Sequence, residues 1–125
     1  MVMTKRVLVV GNCVPDHAAV RRLIEVRFDA QVFQTHGTDD SLSELRSKTF
    51  DLVLVNRIFD RDGGDGLALI QQIKQDAALS GTPCMLITNF PEHQEFASQT
   101  GAEPGFGKAE LNQPETVEKL RPFLG

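Results

Sequence analysis

The chain has no tryptophan and no tyrosine in its 125 residues, and only two cysteines. Aromatic packing must therefore come from eight phenylalanines. Cys13 is expected just past the first strand and Cys84 at the start of the fourth. These positions are opposite edges of a parallel sheet, about 15 Å apart at the usual rise per residue. A disulfide needs Cα atoms within about 7 Å, so both are expected as free thiols, with Cys84 in the core. Positive charge is not in surplus either. Thirteen Lys and Arg against seventeen Asp and Glu leave a formal charge of −4, which argues against nucleic acid and anionic membrane as partners. No apolar run approaches the ~20 residues of a membrane-spanning helix. The start, Met1-Val2-Met3-Thr4-Lys5-Arg6, lacks a signal peptide's apolar region and cleavage site. The expectation is a soluble, cytoplasmic protein with a single domain over residues 1–125, long enough to bury a core without metal or disulfide.

What is present is an alternation of short apolar runs and helical periodicity. Arg6-Val7-Leu8-Val9-Val10 reads as a strand covered on both faces and stops at Gly11. Pro15-Asp16 opens a helix in which Val20, Leu23, Ile24 and Phe28 recur at helical spacing. Residues 30–35 read as a second strand. Asp39 and Ser41 are the candidate caps of a helix carrying Leu42 and Leu45. Residues 52–55 form the third strand, followed by a loop rich in glycine and acids that ends at Gly66. The next helix places Leu69, Ile70, Ile73 and Ala77 on one face, and Met85-Leu86-Ile87-Thr88 is a fourth buried strand. Residues 92–100 predict a polar helix anchored by Phe96 and Ala97. Residues 103–107 give a poor fifth strand, weakened by Pro104, Gly105 and Gly107 and suited to a sheet edge. Pro114 starts a last helix packed through Val117, Leu120 and Leu124.

Five such units predict an α/β fold, a parallel five-stranded sheet with helices on both sides. Ligands and chemistry in such sheets gather beyond the carboxyl ends of the strands. Here those ends are Gly11-Asn12, Asn56, Thr88-Asn89 and Gly107-Lys108. His17, His36 and His93 lie in separate segments without ligand spacing, and read as surface histidines. No nucleophile triad, zinc motif or dinucleotide loop is present. Asp60, Asp62 and Asp65 do not follow the spacing of a calcium loop, and Asp65 lies near a helix start. Neither an enzyme nor a cofactor or metal site is expected.

At these positions the chain resembles the response-regulator receiver domain (CheY-like) over essentially its whole length. The resemblance implies a flavodoxin-like (βα)5 three-layer sandwich with strand order 2-1-3-4-5. In that family the first strand ends in two acidic residues that hold Mg²⁺; here Gly11 and Asn12 stand there. The third strand ends in the phosphorylated aspartate, matched by Asn56. Thr88 matches the Thr or Ser that follows the phosphate. After Gly101-Ala102, Gly105 occupies the position of the aromatic switch and Lys108 that of the lysine, with Ala109 where proline is usual. Asp65-Gly66 matches the Asp-Gly that opens the family's third helix, after a loop about two residues longer.

The departures share a direction. Phosphoryl transfer in this family needs a carboxylate nucleophile and a divalent cation held by oxygen ligands. Gly11 offers no side-chain ligand, and Asn12 and Asn56 offer only neutral amides. The chain is thus expected to be a degenerate pseudo-receiver acting by phosphorylation-independent protein binding. Lys108 is expected either to bond the side-chain oxygens of Asn56 or Asn12, with Thr88 and Asn89 completing a polar network, or to hold an anion. Arg57 is expected to point away from this pocket. The resemblance puts the partner surface on the fourth helix, fifth strand and fifth helix, including His93, Phe106, Lys119 and Phe123. Its thin apolar anchoring predicts a region that a partner could order. A kinase, an output domain or a second copy in a homodimer are the partners implied. Two alternatives stand beside this reading: a phosphorelay regulator with displaced chemistry, and a small anion- or ligand-binding module using the remnant pocket.

Overall fold

The computed structural model describes residues 4–125, so residues 1–3 of the expected domain lie outside the described residues. Eleven elements follow one another: β1 (Lys5–Val10), α1 (Val14–Arg27), β2 (Ala30–Thr35), α2 (Thr38–Ser47), β3 (Leu52–Asn56), α3 (Gly66–Gln75), β4 (Cys84–Ile87), α4 (Pro91–Thr100), β5 (Glu103–Phe106), a 3₁₀ turn (Lys108–Glu110) and α5 (Pro114–Leu124). The strands form one parallel sheet in the order β2-β1-β3-β4-β5. This is the flavodoxin-like α/β architecture.

The period-two alternation of strand side chains divides the core. Val7 and Val9 of β1 join Leu52, Leu54, Ile24 and Leu120 beneath α1 and α5. Leu8 and Val10 join Val53, Val55, Leu69 and Ile73 on the side of α2, α3 and α4. Burial on both faces explains why β1, β3 and β4 read as continuous apolar runs. Both cysteines are free thiols, and Cys84 is buried. At the sheet's outer edge, the Val32 amide of β2 donates to Glu25 Oε2 of α1 at 3.1 Å. Among the described residues, no helix is long and apolar enough to cross a membrane.

Several boundaries differ from the sequence expectation for identifiable reasons. Gly37 is the N-cap residue of α2, and the Asp40 carboxylate turns back to accept from the Gly37 and His36 amides, each at 2.8 Å. Asp39 and Ser41 are therefore not the cap; Ser41 is buried one turn in and donates its hydroxyl to the Gly37 carbonyl. Helix α3 ends at Gln75, leaving Ala77 exposed beyond it. On α4, Ala97 faces the sheet and Phe96, one residue or roughly 100° around the helix, is 59% exposed. Thr88 lies just past the end of β4, and Gly107 just past β5. In α5 the inward positions are Thr116, Leu120 and Leu124, with Val117 half-buried.

Candidate functional site

The sheet brings Gly11, Asn12, Asn56, Thr88 and Lys108 to its carboxyl edge, because β1, β3, β4 and β5 all end there. Asn56 uses its amide nitrogen twice, donating to the Gly11 carbonyl at 3.1 Å and to the Ile58 carbonyl at 2.7 Å. The Gly11 carbonyl also accepts from the Asp60 amide at 2.9 Å. Asn56 thus fastens the loop after β3 onto the end of β1. An aspartate at this position would face two carbonyl oxygens with no proton to offer.

The same loop fills the space beside Gly11. Gly11 has a φ of +82°, and a Cβ built there would overlap Phe59 Cδ1 and lie 3.1 Å from Phe59 Cγ. The Phe59 ring is 1% exposed, held where the loop folds back through bonds between Phe59 and Gly64 and between Gly63 and Phe59. Asn12 is 3% exposed, and neither its amide oxygen nor its nitrogen has a hydrogen-bond partner among the described residues. A hard divalent cation prefers several charged or carbonyl oxygens. One glycine covered by a phenyl ring and two neutral amides, one already committed to backbone carbonyls, do not fit Mg²⁺. Among the described residues, no group of three or more His, Cys, Asp or Glu side chains could hold a metal ion.

Lys108 turns elsewhere. Its Nζ lies 2.7 Å from Asp16 Oδ2 in the first turn of α1, not on Asn56 or Asn12. The physical reason is charge: an ionised carboxylate outcompetes a neutral amide oxygen for an ammonium. The Lys108 hydrogen bond holds the Asp16 carboxyl below its usual range against the opposing effect of burial, with Cys13 adding a smaller contribution. The expected polar network also divides. Thr88 Oγ1 lies 3.2 Å from His93 Nδ1 and accepts from the Phe90 amide at 3.3 Å. Asn89 Oδ1 accepts from the Ala109 amide at 3.1 Å.

Arg57 does not point away. It lines a cleft of about 390 Å³ together with Asn56, Ile58, Thr88, Phe90 and Lys108, and its Nη1 pairs with Asp65 at 2.9 Å. Asp65 also caps α3, accepting from the Leu67 amide at 2.9 Å. Asp65 thus stands at the helix start, as expected, in an exposed turn. Asp62 likewise accepts from the Gly64 amide at 2.8 Å.

At Gly105, where the resembling family carries its switch aromatic, a different side chain fills the position. Gln94 of α4 donates to the Leu86 carbonyl at 2.8 Å and accepts from the Gly105 amide at 3.0 Å. A Cβ at Gly105 would overlap the Leu86 carbonyl oxygen and crowd the Gln94 amide. Lys119 of α5 donates to the Gly105 carbonyl at 2.9 Å. Of the expected partner-surface residues, His93 and Lys119 are half-buried at this face, and Phe123 of α5 is half-buried against the core. Phe106 is 1% exposed; the alternation of β5 directs it into the core beneath α1 and α5, so it cannot meet a partner. Of the other histidines, His17 on α1 is half-buried, and burial followed by the nearby Arg21 charge lowers its pKa.

Sequence reasoning missed Phe59 and Asp16, and it placed Gln94 on the partner face without its bond to Gly105. Phe59 carried a signal, as the one aromatic in a loop of glycines and acids. Gln94 and Asp16 carried none, since their partners lie 11 and 92 residues away.

No family model matches the chain, and no curated protein matches it in sequence. Solved structures do match in shape. A sensor protein from Polaromonas sp. JS666 aligns with a TM-score of 0.82 at 15% identity, covering 97% of this chain and 96% of that one. A response regulator from Thermotoga maritima aligns at 0.78 and 20% identity, covering 97% and 98%. A chemotaxis response regulator of Vibrio cholerae aligns at 0.71 and 16% identity, covering 96% and 95%. The structural neighbours are response-regulator receiver domains. At these identities the likeness shows the fold alone, so any role of the site must be argued from its own residues.

Proposed function

We propose that this chain is a receiver-fold signalling protein that works without aspartyl phosphorylation, by binding other proteins. The observation that carries the reading is at Asn56: the residue in the acceptor position holds two backbone carbonyls with its amide and offers no carboxylate. Three further features support it. Phe59 covers Gly11, Lys108 is paired with Asp16, and Gln94 fills the place of a switch aromatic. The partner is a kinase, an output domain or a second copy, met at the face of α4, β5 and α5 through His93, Lys119 and the exposed part of Phe123. A cytoplasmic location is part of the proposal, and no catalysis is assigned.

A regulator with displaced chemistry is the competing reading. It is disfavoured because Asp60, Asp62 and Asp65 belong to no group of three or more side chains that could hold the required cation among the described residues, and Asp62 and Asp65 are engaged by amides of their own turn. The two readings separate on incubation with acetyl phosphate and Mg²⁺, read by intact mass, and with beryllofluoride, read by NMR. The proposal expects no phosphoryl mass and no shift, for the native chain and for Asn56→Asp alike. A stable phosphoryl adduct on either would overturn it.

A further inference from the structure

The cleft beside Asn56 has a composition that its role in fastening the loop does not explain. Five large apolar side chains stand more than half exposed among the described residues, and two of them, Ile58 at 51% and Phe90 at 57%, meet at this cleft. Phe90 is further fixed by an edge contact with the His93 ring, centroids 5.3 Å apart. Arg57, His93 and Lys108 also line the cleft, and no aspartate or glutamate does. Paired apolar and cationic side chains around an open depression, with an aromatic and an arginine among them, are the chemistry of a protein-binding hot spot.

The two cations retain unused capacity. Lys108 makes one side-chain hydrogen bond, to Asp16, and Arg57 makes one, to Asp65. Each has further N–H donors on its charged head. Asp16 and Asp65 lie outside the lining, so they offset the cations' charge without occupying the space between them. The remaining capacity suits a singly charged carboxylate. A dianionic phosphate would need a stronger positive field than two ion-paired side chains provide. The overall charge of −4 also disfavours nucleic acid.

We infer that this cleft receives an acidic side chain next to an apolar one, presented by a segment of a protein partner. The carboxylate sits between Arg57 and Lys108, and the apolar neighbour packs on Ile58 and Phe90. This rests on the proposed function, because an unphosphorylated, metal-free edge is what leaves the cleft open to a partner.

The test is an NMR titration of the whole ¹⁵N-labelled chain with two capped peptides, Leu-Glu-Phe-Leu and its glutamine counterpart. Hexanoate and inorganic phosphate serve as further probes. The inference expects saturable shifts at Asn56, Arg57, Ile58, Thr88, Phe90 and Lys108 with the glutamate peptide. The glutamine peptide should bind roughly fivefold more weakly, the upper end for one exposed ion pair. Phe90→Ser should weaken binding of the glutamate peptide; if it disturbs the spectrum beyond the cleft, Ile58→Ser replaces it. Absence of saturable shifts, equal binding of the two peptides, or hexanoate or phosphate binding as tightly as the glutamate peptide would each overturn the inference. The last result would make this a small-anion cleft. The acetyl phosphate assay reads the underlying function separately, so a failed titration with no phosphoryl uptake removes this inference alone.

Discussion

Replacing Gly11 with alanine probes how the loop after β3 is packed against the end of β1. Two costs add. A non-glycine residue in the left-handed region at φ +82° is disfavoured by about 1–2 kcal/mol. The new methyl also overlaps the ring of Phe59, which is buried and cannot simply swing into solvent; such overpacking costs about 1–3 kcal/mol. The sum is about 2–5 kcal/mol, against a total stability on the order of 5–15 kcal/mol for a domain of this kind. With a urea m-value of roughly 2 kcal/mol per molar, the unfolding midpoint should fall by about 1–2.5 M at unchanged m. A double-mutant cycle with Phe59→Leu divides the two terms. That change alone removes buried volume at a cost of roughly 1–3 kcal/mol, but it makes room for the methyl. The two substitutions together should therefore destabilise by less than their sum, by about 1–3 kcal/mol. A loss under about 0.5 kcal/mol for Gly11→Ala, or strict additivity with Phe59→Leu, would refute the reasoning. The same steric conflict applies to an aspartate at position 11. Rebuilding an acidic pair and an acceptor thus requires moving the Phe59 loop as well as exchanging Asn12 and Asn56.

Three other outcomes are expected. Gln94→Leu should cost about 1–3 kcal/mol by leaving the Gly105 amide unpaired, and hydrogen exchange at Gly105 should accelerate more than at β1. The Asp16 carboxyl is held low chiefly by Lys108, so its contribution to stability is present above the unfolded carboxyl value of about 4 and is lost as pH falls through the lower folded value. Both side chains are partly exposed, so urea titrations of the native chain and Asp16→Asn should differ by under about 1 kcal/mol at neutral pH, and the gap should close in acid. Burial pushes the Cys84 thiol up to about 11. Native alkylation followed by peptide mass spectrometry should therefore label Cys13 at least roughly tenfold faster than Cys84. Between the unfolded thiol's value near 9 and the folded value, stability should decline as pH rises.

Much of the fold was legible because its signals are local or periodic. The runs at 7–10, 52–55 and 84–87 are apolar on both faces, and only a sheet covered on both sides asks for that. Prolines 15, 91 and 114 all stand in the first turn of a helix. Boundaries set by tertiary context were less legible. Asp40 braces the start of α2 because its carboxylate reaches back to the His36 and Gly37 amides in the folded turn, a choice that composition does not distinguish from Asp39. Phe96 reads as an anchor by hydrophobicity, yet the phase of α4 is set by Ala97 and Gln94. For the candidate site, the missing carboxylates were visible as letters. What replaced them was not, because Lys108–Asp16 and Gln94–Gly105 depend on which distant segments the sheet brings together.

The bond from the Val32 amide to Glu25 has a consequence for how these molecules behave in a crowd. β2 is an outermost strand of the sheet, and an outward-facing amide there is a template on which another chain's strand can add. The glutamate carboxylate occupies that template. Burial acts to raise its pKa, while the Val32 amide and then Arg21 lower it, with a net downward shift. The guard is thus charged at neutral pH and discharged only in acid, below the usual carboxyl range. At the β2 edge one helix side chain thus covers the Val32 amide, and acid is the condition that weakens this cover.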